Sequence, residues 1–174
     1  MAQKQAGERY SLWLMPRGDV YDGLARTLHK LSARYSAPEF APHVTLLGSI
    51  VAPRREAIRK SAALATLIRP FMVQLGNIDY LDEYFRCLFV RATITQPLRK
   101  AHQIAQEVFG FRREAPFMPH LSLLYGNFSR SLKDEAIAEL GPRVDLEFKV
   151  RSLHLFRTHG EPRHWRRMAR FGLL

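Results

Sequence analysis

Hydrophobic and polar positions follow two different periods along the chain, which predicts a mixture of strands and helices. Alternation with a period of two, together with β-branched and aromatic side chains, predicts strands over residues 9–15, 43–49, 71–78, 85–95, 120–125 and 145–157. A period near 3.6 predicts amphipathic helices over residues 19–35, between Pro53 and Pro70, from Pro97 to Gly110, and in a short segment from Ser131 to Gly141. Residues 163–171 fit either an edge strand or a basic tail.

The order of these elements predicts an α+β fold. Strands and helices are interspersed with short connections, and no change of composition marks a linker, so we expect a single domain over residues 1–174. Hydrophobic residues make up 47% of the chain and charged residues 25%, the balance of a globular protein. A chain of this length can bury roughly two-thirds of its unfolded surface, which is enough for a substantial core.

The sequence gives no indication of a targeting signal, a membrane span or a cysteine-based site. The first nine residues lack the apolar stretch of a secretory signal, and no window approaches the ~20 apolar residues that span a bilayer. The single cysteine, Cys87, excludes an intramolecular disulfide and any multi-cysteine metal site. We therefore expect a cytoplasmic protein with no membrane contact.

A duplicated motif is the strongest chemical signal in the chain. Residues 40–47 read Phe-Ala-Pro-His-Val-Thr-Leu-Leu, and residues 117–124 read Phe-Met-Pro-His-Leu-Ser-Leu-Leu. In both copies a predicted helix precedes the motif across a short loop. The two histidines, His43 and His120, are 77 residues apart, which is too long a period for a solenoid. The duplication therefore predicts two similar lobes that face each other.

The motif places an imidazole and a hydroxyl on the same face of each strand. Because side chains alternate, His43 points the same way as Thr45, and His120 the same way as Ser122. If the two faces meet, the cleft holds two imidazoles, which titrate near neutral pH and can act as acid and base. The two hydroxyls can donate to the non-bridging oxygens of a phosphate. This constellation suits in-line attack of water on a phosphodiester, and it requires neither a metal nor another cofactor.

At these residues the chain resembles a known family, the 2H phosphoesterase superfamily. The resemblance is closest to the cyclic phosphodiesterase branch, which includes plant enzymes that act on ADP-ribose cyclic phosphate. It covers most of the chain, and the stretches that carry it are Tyr10-Ser11-Leu12-Trp13, Phe40-Ala41-Pro42-His43-Val44-Thr45, Phe85-Arg86-Cys87-Leu88-Phe89 and Phe117-Met118-Pro119-His120-Leu121-Ser122-Leu123-Leu124-Tyr125.

The resemblance implies a fold, an activity and a set of site residues. The implied fold has two lobes related by a pseudo-twofold axis, each an antiparallel sheet with helices on its outer side, and a cleft between them. The implied activity is hydrolysis of 2′,3′-cyclic nucleotides, or of ADP-ribose 1″,2″-cyclic phosphate, to a monoester. His43, Thr45, His120 and Ser122 match the family's catalytic positions. Tyr125 and Phe85 match substrate-contacting positions, although simple alternation would place Tyr125 on the face opposite His120.

The charge of the chain favours an anionic partner and keeps other functions open. Lys and Arg number 27 and Asp and Glu 16, a net charge of +11. Residues 151–174 contain six arginines but the single acid Glu161, and Trp165 lies among them. This segment is either a solubilising edge strand or a surface for RNA or for a nucleotide diphosphate.

Three functions therefore remain. The first is a metal-independent cyclic phosphodiesterase acting on small nucleotide-like substrates. The second is an enzyme of RNA ends, either a 2′,3′-cyclic phosphodiesterase or an enzyme similar to a 2′-5′ RNA ligase. The third is a protein that binds a nucleotide or RNA in the same cleft without cutting it.

Overall fold

The computed structural model describes residues 7–111 and 116–174, where the chain forms eight strands and four α-helices. Residues 1–6, on which part of the expectation about targeting rests, lie outside the described ranges. The elements in chain order are β1 (Glu8–Leu14), α1 (Gly18–Tyr35), β2 (Val44–Ala52), α2 (Arg54–Ala65), β3 (Phe71–Asp79), β4 (Leu88–Ala92), α3 (Gln96–Phe109), β5 (His120–Leu124), α4 (Arg130–Leu140), β6 (Arg143–Val150), β7 (Ser152–Arg157) and β8 (Arg166–Gly172).

All eight strands pair in one antiparallel sheet with the order β6-β3-β4-β5-β2-β1-β7-β8. The two strands that carry the motifs, β2 and β5, lie at its centre and pair only at Val44 and Leu121. This narrow junction divides the sheet into two four-stranded halves with matching order, β2-β1-β7-β8 and β5-β4-β3-β6. The prediction of an α+β fold with two similar antiparallel lobes is confirmed, and the single domain stays a prediction that the continuous sheet supports.

Two of the helices, α1 and α3, connect the two halves of the sheet. Helix α1 belongs to the first half but contacts β5, whereas α3 belongs to the second half and contacts β2. His102 of α3 contributes to the contact with β2, since its Nδ1 lies 2.7 Å from the carbonyl oxygen of Leu46. The buried core, which includes Leu12, Val44 and Leu121, lies on this helical side of the sheet. The opposite side is left for the cleft. No helix in the described part of the chain has the length and apolarity to cross a membrane.

Several sequence-based boundaries differ from the structure, and three of the differences have a clear physical cause. The predicted strand 85–95 is shorter, because residues 84–86 form a 3-10 turn in which the backbone N–H of Arg86 donates to the carbonyl oxygen of Glu83. The strand segment 145–157 is two strands, β6 and β7, which break at Arg151 and join opposite halves of the sheet. The cap of α4 is Ser129 rather than Ser131, because Ser129 Oγ accepts from the backbone N–H of Leu132.

The basic C-terminal segment is ordered as a strand. Residues 166–172 form β8, which pairs with β7 and is an edge of the sheet. A short 3-10 turn over Pro162–His164 precedes it and carries the chain back from β7. Of the two alternatives for this segment, the edge strand is therefore observed, with its arginines on ordered backbone.

Candidate active site

The two motif histidines lie in one cleft at the centre of the sheet. His43 immediately precedes β2 and His120 begins β5, so the antiparallel motif strands bring the two imidazoles towards each other. The cleft has a volume of about 540 Å³. Its lining is mostly aromatic, hydroxylic and basic, and consists of Arg9, Ser11, Trp13, His43, Thr45, Gly48, Ser49, Phe85, Arg86, His120, Ser122, Tyr125, Thr158, His159, Gly160 and Trp165. All six residues singled out from the sequence therefore line the same cavity.

Each histidine is oriented by the carbonyl group two residues before it. His43 Nδ1 lies 2.7 Å from the carbonyl oxygen of Ala41, and His120 Nδ1 lies 2.9 Å from that of Met118. A carbonyl oxygen only accepts, so Nδ1 carries the proton in both neutral rings. The lone pair is therefore on Nε2 in both, and the duplicated Pro-His sequence produces the same tautomer twice.

The two imidazoles differ in their surroundings. Trp13 stacks on His43 with ring centroids 3.5 Å apart, whereas Phe89 is tilted against His120 at 5.0 Å. Burial lowers the pKa of His43 to about 3, partly offset by the Ala41 carbonyl and reinforced by His120. Burial, together with Arg86 and Arg91, also lowers the pKa of His120. Both rings are therefore neutral at pH 7 in the free protein.

The hydroxyl groups of Thr45 and Ser122 line the cleft with the imidazoles, but the two residues differ in their burial and hydrogen bonding. Thr45 is half-buried and lies opposite Trp13 on the neighbouring strand. Ser122 is buried, and its hydroxyl donates to the carbonyl oxygen of Phe85 at 3.2 Å. Ser122 must therefore rotate away from Phe85 before it can donate to a bound phosphate.

Tyr125 lines the cleft, so the expectation that it points away from His120 is wrong. The pairing of β4 with β5 shifts register between Leu88 and Phe89, which face Leu124 and Ser122, so Leu123 is an extra residue in β5. An extra residue in one strand reverses the alternation beyond it, and this turns Tyr125 to the side of His120. Burial raises the pKa of the Tyr125 hydroxyl, which therefore keeps its proton at neutral pH.

Aromatic rings form the rim of the cleft. Phe85 lies on the 3-10 turn rather than in a strand, and half of its surface is exposed. Its ring centroid is 5.2 Å from that of Tyr125 and 5.9 Å from that of Trp165, which reaches the rim from the segment between β7 and β8. Tyr125 in turn stacks on Phe40 at 3.8 Å. The rim therefore offers planar apolar surface above the imidazoles.

Several lining residues were not identified as site residues from the sequence. Ser11 and Trp13 are brought in by β1, the neighbour of β2, and Trp13 Nε1 donates to Ser11 Oγ at 3.0 Å. Thr158 and Trp165 come from the segment after β7. The sequence signals for these residues were the presence of residues 10–13 among the stretches of family resemblance and the position of Trp165 among the arginines of residues 151–174.

The donor set of the cleft fits acid–base chemistry. None of the described residues that line it is acidic, and the described ranges contain no group of three His, Cys, Asp or Glu side chains placed to hold a metal ion. The cleft presents the Nε2 atoms of the two motif histidines, the hydroxyl groups of Ser, Thr and Tyr125 on its walls, and the basic side chains of Arg9, His159 and Arg86, the last of which is paired with Glu83.

Comparison with known proteins identifies the family. The family model described as the 2′-5′ RNA ligase superfamily matches residues 21–162, which is more than half of the chain and includes both motifs. The chain belongs to this superfamily. The resemblance to the 2H phosphoesterases is thereby confirmed.

A curated relative and solved structures agree with this assignment. The chain is 25% identical to a cyclic phosphodiesterase of Arabidopsis thaliana over 156 residues, 87% of this chain and 86% of the relative. The crystal structure of E. coli LigT complexed with 3′-AMP matches with a TM-score of 0.67 at 15% identity, over 96% of this chain and 98% of LigT. The protein TT0787 of Thermus thermophilus matches with a TM-score of 0.61 at 19% identity, over 95% and 97% of the two chains. The structures confirm the fold, and family and relative together confirm an enzyme of the phosphodiesterase type.

Proposed function

We propose that this protein is a cyclic phosphodiesterase that hydrolyses a 2′,3′-cyclic nucleotide or ADP-ribose 1″,2″-cyclic phosphate to a phosphomonoester without a metal ion. The observation that carries the proposal is the pair of imidazoles, each held by a backbone carbonyl so that Nε2 is free in one cleft. The activity of the Arabidopsis relative, as its name gives it, supports the class of substrate.

The two histidines take different roles because their pKa values are ordered. His43, under Trp13, has the more strongly lowered pKa. When the negatively charged phosphate binds, it raises the pKa of both rings, and the single proton they share resides on the less depressed one, His120. His43 is thus the general base and His120 the general acid.

The reaction then balances around the phosphorus atom. His43 Nε2 accepts a proton from water as the water oxygen forms a bond to phosphorus. The bond from phosphorus to the leaving ribose oxygen breaks, and that oxygen takes the proton from His120 Nε2. Thr45 and Ser122 donate to the non-bridging oxygens, whose negative charge grows in the transition state. Exchange of protons with water resets the two rings.

The aromatic rim provides the binding surface for the rest of the nucleotide. We assign Phe85 and Tyr125 to contacts with the substrate, since both rings face the cleft beside His120. Stacking on such rings tolerates any base, because every base has a π face. The rim alone therefore predicts modest selectivity among nucleobases.

A second candidate function is favoured by the basic edge of the sheet. Trp165 and the arginines of β8 lie on the same half of the sheet as His43. This arrangement suits an RNA strand that ends in a 2′,3′-cyclic phosphate. The chemistry at the histidines is the same in both candidates, and only the length of the substrate differs.

The test is a panel of substrates incubated with the purified protein in the presence of EDTA. The panel contains 2′,3′-cyclic AMP, ADP-ribose 1″,2″-cyclic phosphate and an oligonucleotide with a terminal 2′,3′-cyclic phosphate, with 3′,5′-cyclic AMP as the control. Phosphorus NMR identifies the monoester formed. Turnover of the small substrates supports the first candidate, and turnover of the oligonucleotide alone supports the second. Binding without turnover of any member contradicts both, and activity that EDTA abolishes contradicts the metal-free mechanism.

A further inference from the structure

Three arginines and a buried histidine lie on β7, on β8 and immediately before α1, apart from the pair of histidines described above. His154 of β7 is 6% exposed, and its Nε2 lies 3.0 Å from Ser152 Oγ. Its Nδ1 is buried and has no hydrogen-bond partner among the described residues. Burial lowers the pKa of His154 to about 4, and the next causes are the charges of Arg167, Arg170 and Arg17. Arg170 lies directly opposite His154 on β8, Arg167 lies opposite Phe156 two residues along β7, and the charges of all three arginines act on the imidazole.

This cluster lies on the same face of the sheet as the cleft. Thr45 pairs with Trp13, Trp13 pairs with His154, and His154 pairs with Arg170. Directly opposed residues of neighbouring strands point to the same face, so the four side chains form a row from the motif to the edge strand. The row crosses three strand spacings, about 14 Å between the first and last Cα atoms. A substrate held at the catalytic histidines can reach the cluster by extending across Trp13.

The arginines of the cluster are among the exposed arginines of the described ranges that form no ion pair with a carboxylate. Arg86 and Arg91 each form an ion pair with a carboxylate. Arg17, Arg167 and Arg170 are exposed, and in the described ranges none of them forms an ion pair. Neighbouring positive charges repel one another, and a bound anion offsets that repulsion.

The chemistry of the cluster selects phosphate among anions. A guanidinium group is a planar fork of donors that matches two oxygens of a phosphate, and three such groups supply more donors than one carboxylate can accept. If Ser152 donates to His154 Nε2, then Nδ1 carries a proton, but Nδ1 is buried, so the donors that a phosphate can reach are those of the guanidinium groups. The cluster therefore consists of donors that lack an acceptor.

We propose that Arg17, Arg167 and Arg170 form a second phosphate subsite, which binds a phosphate of the substrate other than the cyclic one. This inference rests on the proposed function and deepens it. The preferred substrate is then a cyclic phosphate attached to at least one further phosphate, either a diphosphate as in ADP-ribose or a phosphodiester of an RNA strand. A cyclic mononucleotide leaves the second subsite unfilled.

Binding to the subsite can be measured without catalysis. Inorganic pyrophosphate is titrated into the ¹⁵N-histidine-labelled protein while the side-chain resonances of His154 are followed by NMR. We expect a saturable shift of His154, and a loss of affinity of about tenfold in the Arg167→Gln/Arg170→Gln double variant. Arg17→Gln, on a different element, should show the same direction of change. Arg99→Gln, an exposed arginine on α3, is the matched control. A shift of His43 and His120 without His154, or equal affinity in all variants, overturns the subsite.

Kinetics then tests its role in selectivity. The ratio of kcat/KM for 5′-phosphorylated 2′,3′-cyclic AMP to that for 2′,3′-cyclic AMP should fall about tenfold in the double variant, through KM. An equal loss on both substrates overturns the role. ADP-ribose 1″,2″-cyclic phosphate and a dinucleotide ending in a cyclic phosphate show which source of phosphate the subsite serves. If no substrate is turned over, the proposed function fails, whereas the pyrophosphate-dependent shift of His154 and its loss in the variants still report on the subsite.

Discussion

The buried histidines should make the stability of the protein strongly dependent on pH. His43 is 5% exposed, with a pKa near 3 in the folded protein, whereas an imidazole in the unfolded chain titrates near 6.5. Below about pH 6.5 the unfolded chain binds a proton that the folded protein does not. The free energy of unfolding therefore falls as the pH drops from about 6.5 towards the folded pKa.

The size of the effect follows from these pKa values. An imidazole of pKa about 6.5 in the unfolded chain becomes protonated as the pH is lowered from 7.5 to 5.0. This protonation stabilises the unfolded chain by about 2 kcal/mol. His154, with a folded pKa near 4, contributes a similar amount, and the lowered pKa of His120 acts in the same direction. A loss of about 4 kcal/mol is a large part of the 5–15 kcal/mol that stabilises a typical domain.

Urea denaturation at pH 7.5 and pH 5.0 measures this difference, with Trp fluorescence as the signal. Trp13 is a suitable reporter because its ring stacks directly on His43. We expect His43→Gln, which cannot titrate, to reduce the difference between the two pH values by about 2 kcal/mol. His164→Gln, which removes an exposed histidine that forms no ion pair in the described ranges, is the matched control and should leave the difference as in the wild type. If the free energy of unfolding of His43→Gln falls as much between pH 7.5 and pH 5.0 as that of the wild type, His43 is not kept neutral by burial. The assignment of base and acid then loses its basis.

Three further predictions concern the catalytic groups and the backbone that supports them. His43→Ala and His120→Ala should each lower kcat by about 10²–10⁴-fold with an unchanged far-UV circular dichroism spectrum, and substantial turnover in the double variant would refute the two-histidine mechanism. Thr45→Val and Ser122→Ala should each lower kcat by about 10²-fold with a smaller change in KM, since their hydroxyls act on charge that develops in the transition state; a change in KM alone would contradict that role. Gly126→Ala should destabilise the fold by about 1–3 kcal/mol, because φ is +151° there and an added Cβ would lie 2.3 Å from Phe128 Cε2. Thermal denaturation measures the loss. A melting temperature equal to that of the wild type would show that Phe128 moves freely.

The part of the site that sequence analysis could predict is the part encoded locally. Alternation along a strand depends only on neighbouring residues, and it correctly placed His43 with Thr45 and His120 with Ser122 in one cleft. It failed at Tyr125, because the extra residue Leu123 is defined by the pairing with β4 and not by the sequence of β5.

The rest of the site depends on which strands become neighbours. Trp13 reaches His43 because β1 pairs with β2, and Trp165 reaches the rim because the segment after β7 returns over β1. The phase of the hydrophobic alternation changes between Val150 and Leu153, which is where β6 ends and β7 begins on the other half of the sheet. Such pairings join residues far apart in the chain, so the local pattern of a single sequence does not predict them.

The duplicated motif produces two similar sites whose surroundings make them unequal. The Pro-His sequence fixes the same tautomer in both rings, so by itself it would yield two equivalent imidazoles. The flanking strands remove this equivalence, because Trp13 covers His43 face to face, whereas His120 meets only the tilted ring of Phe89 and lies nearer the charged side chain of Arg86. Hydrolysis of a diester needs one group that accepts a proton and one that donates it. In the proposed mechanism the unequal burial of two similar motifs supplies that difference, and the inequality follows from residues outside both motifs.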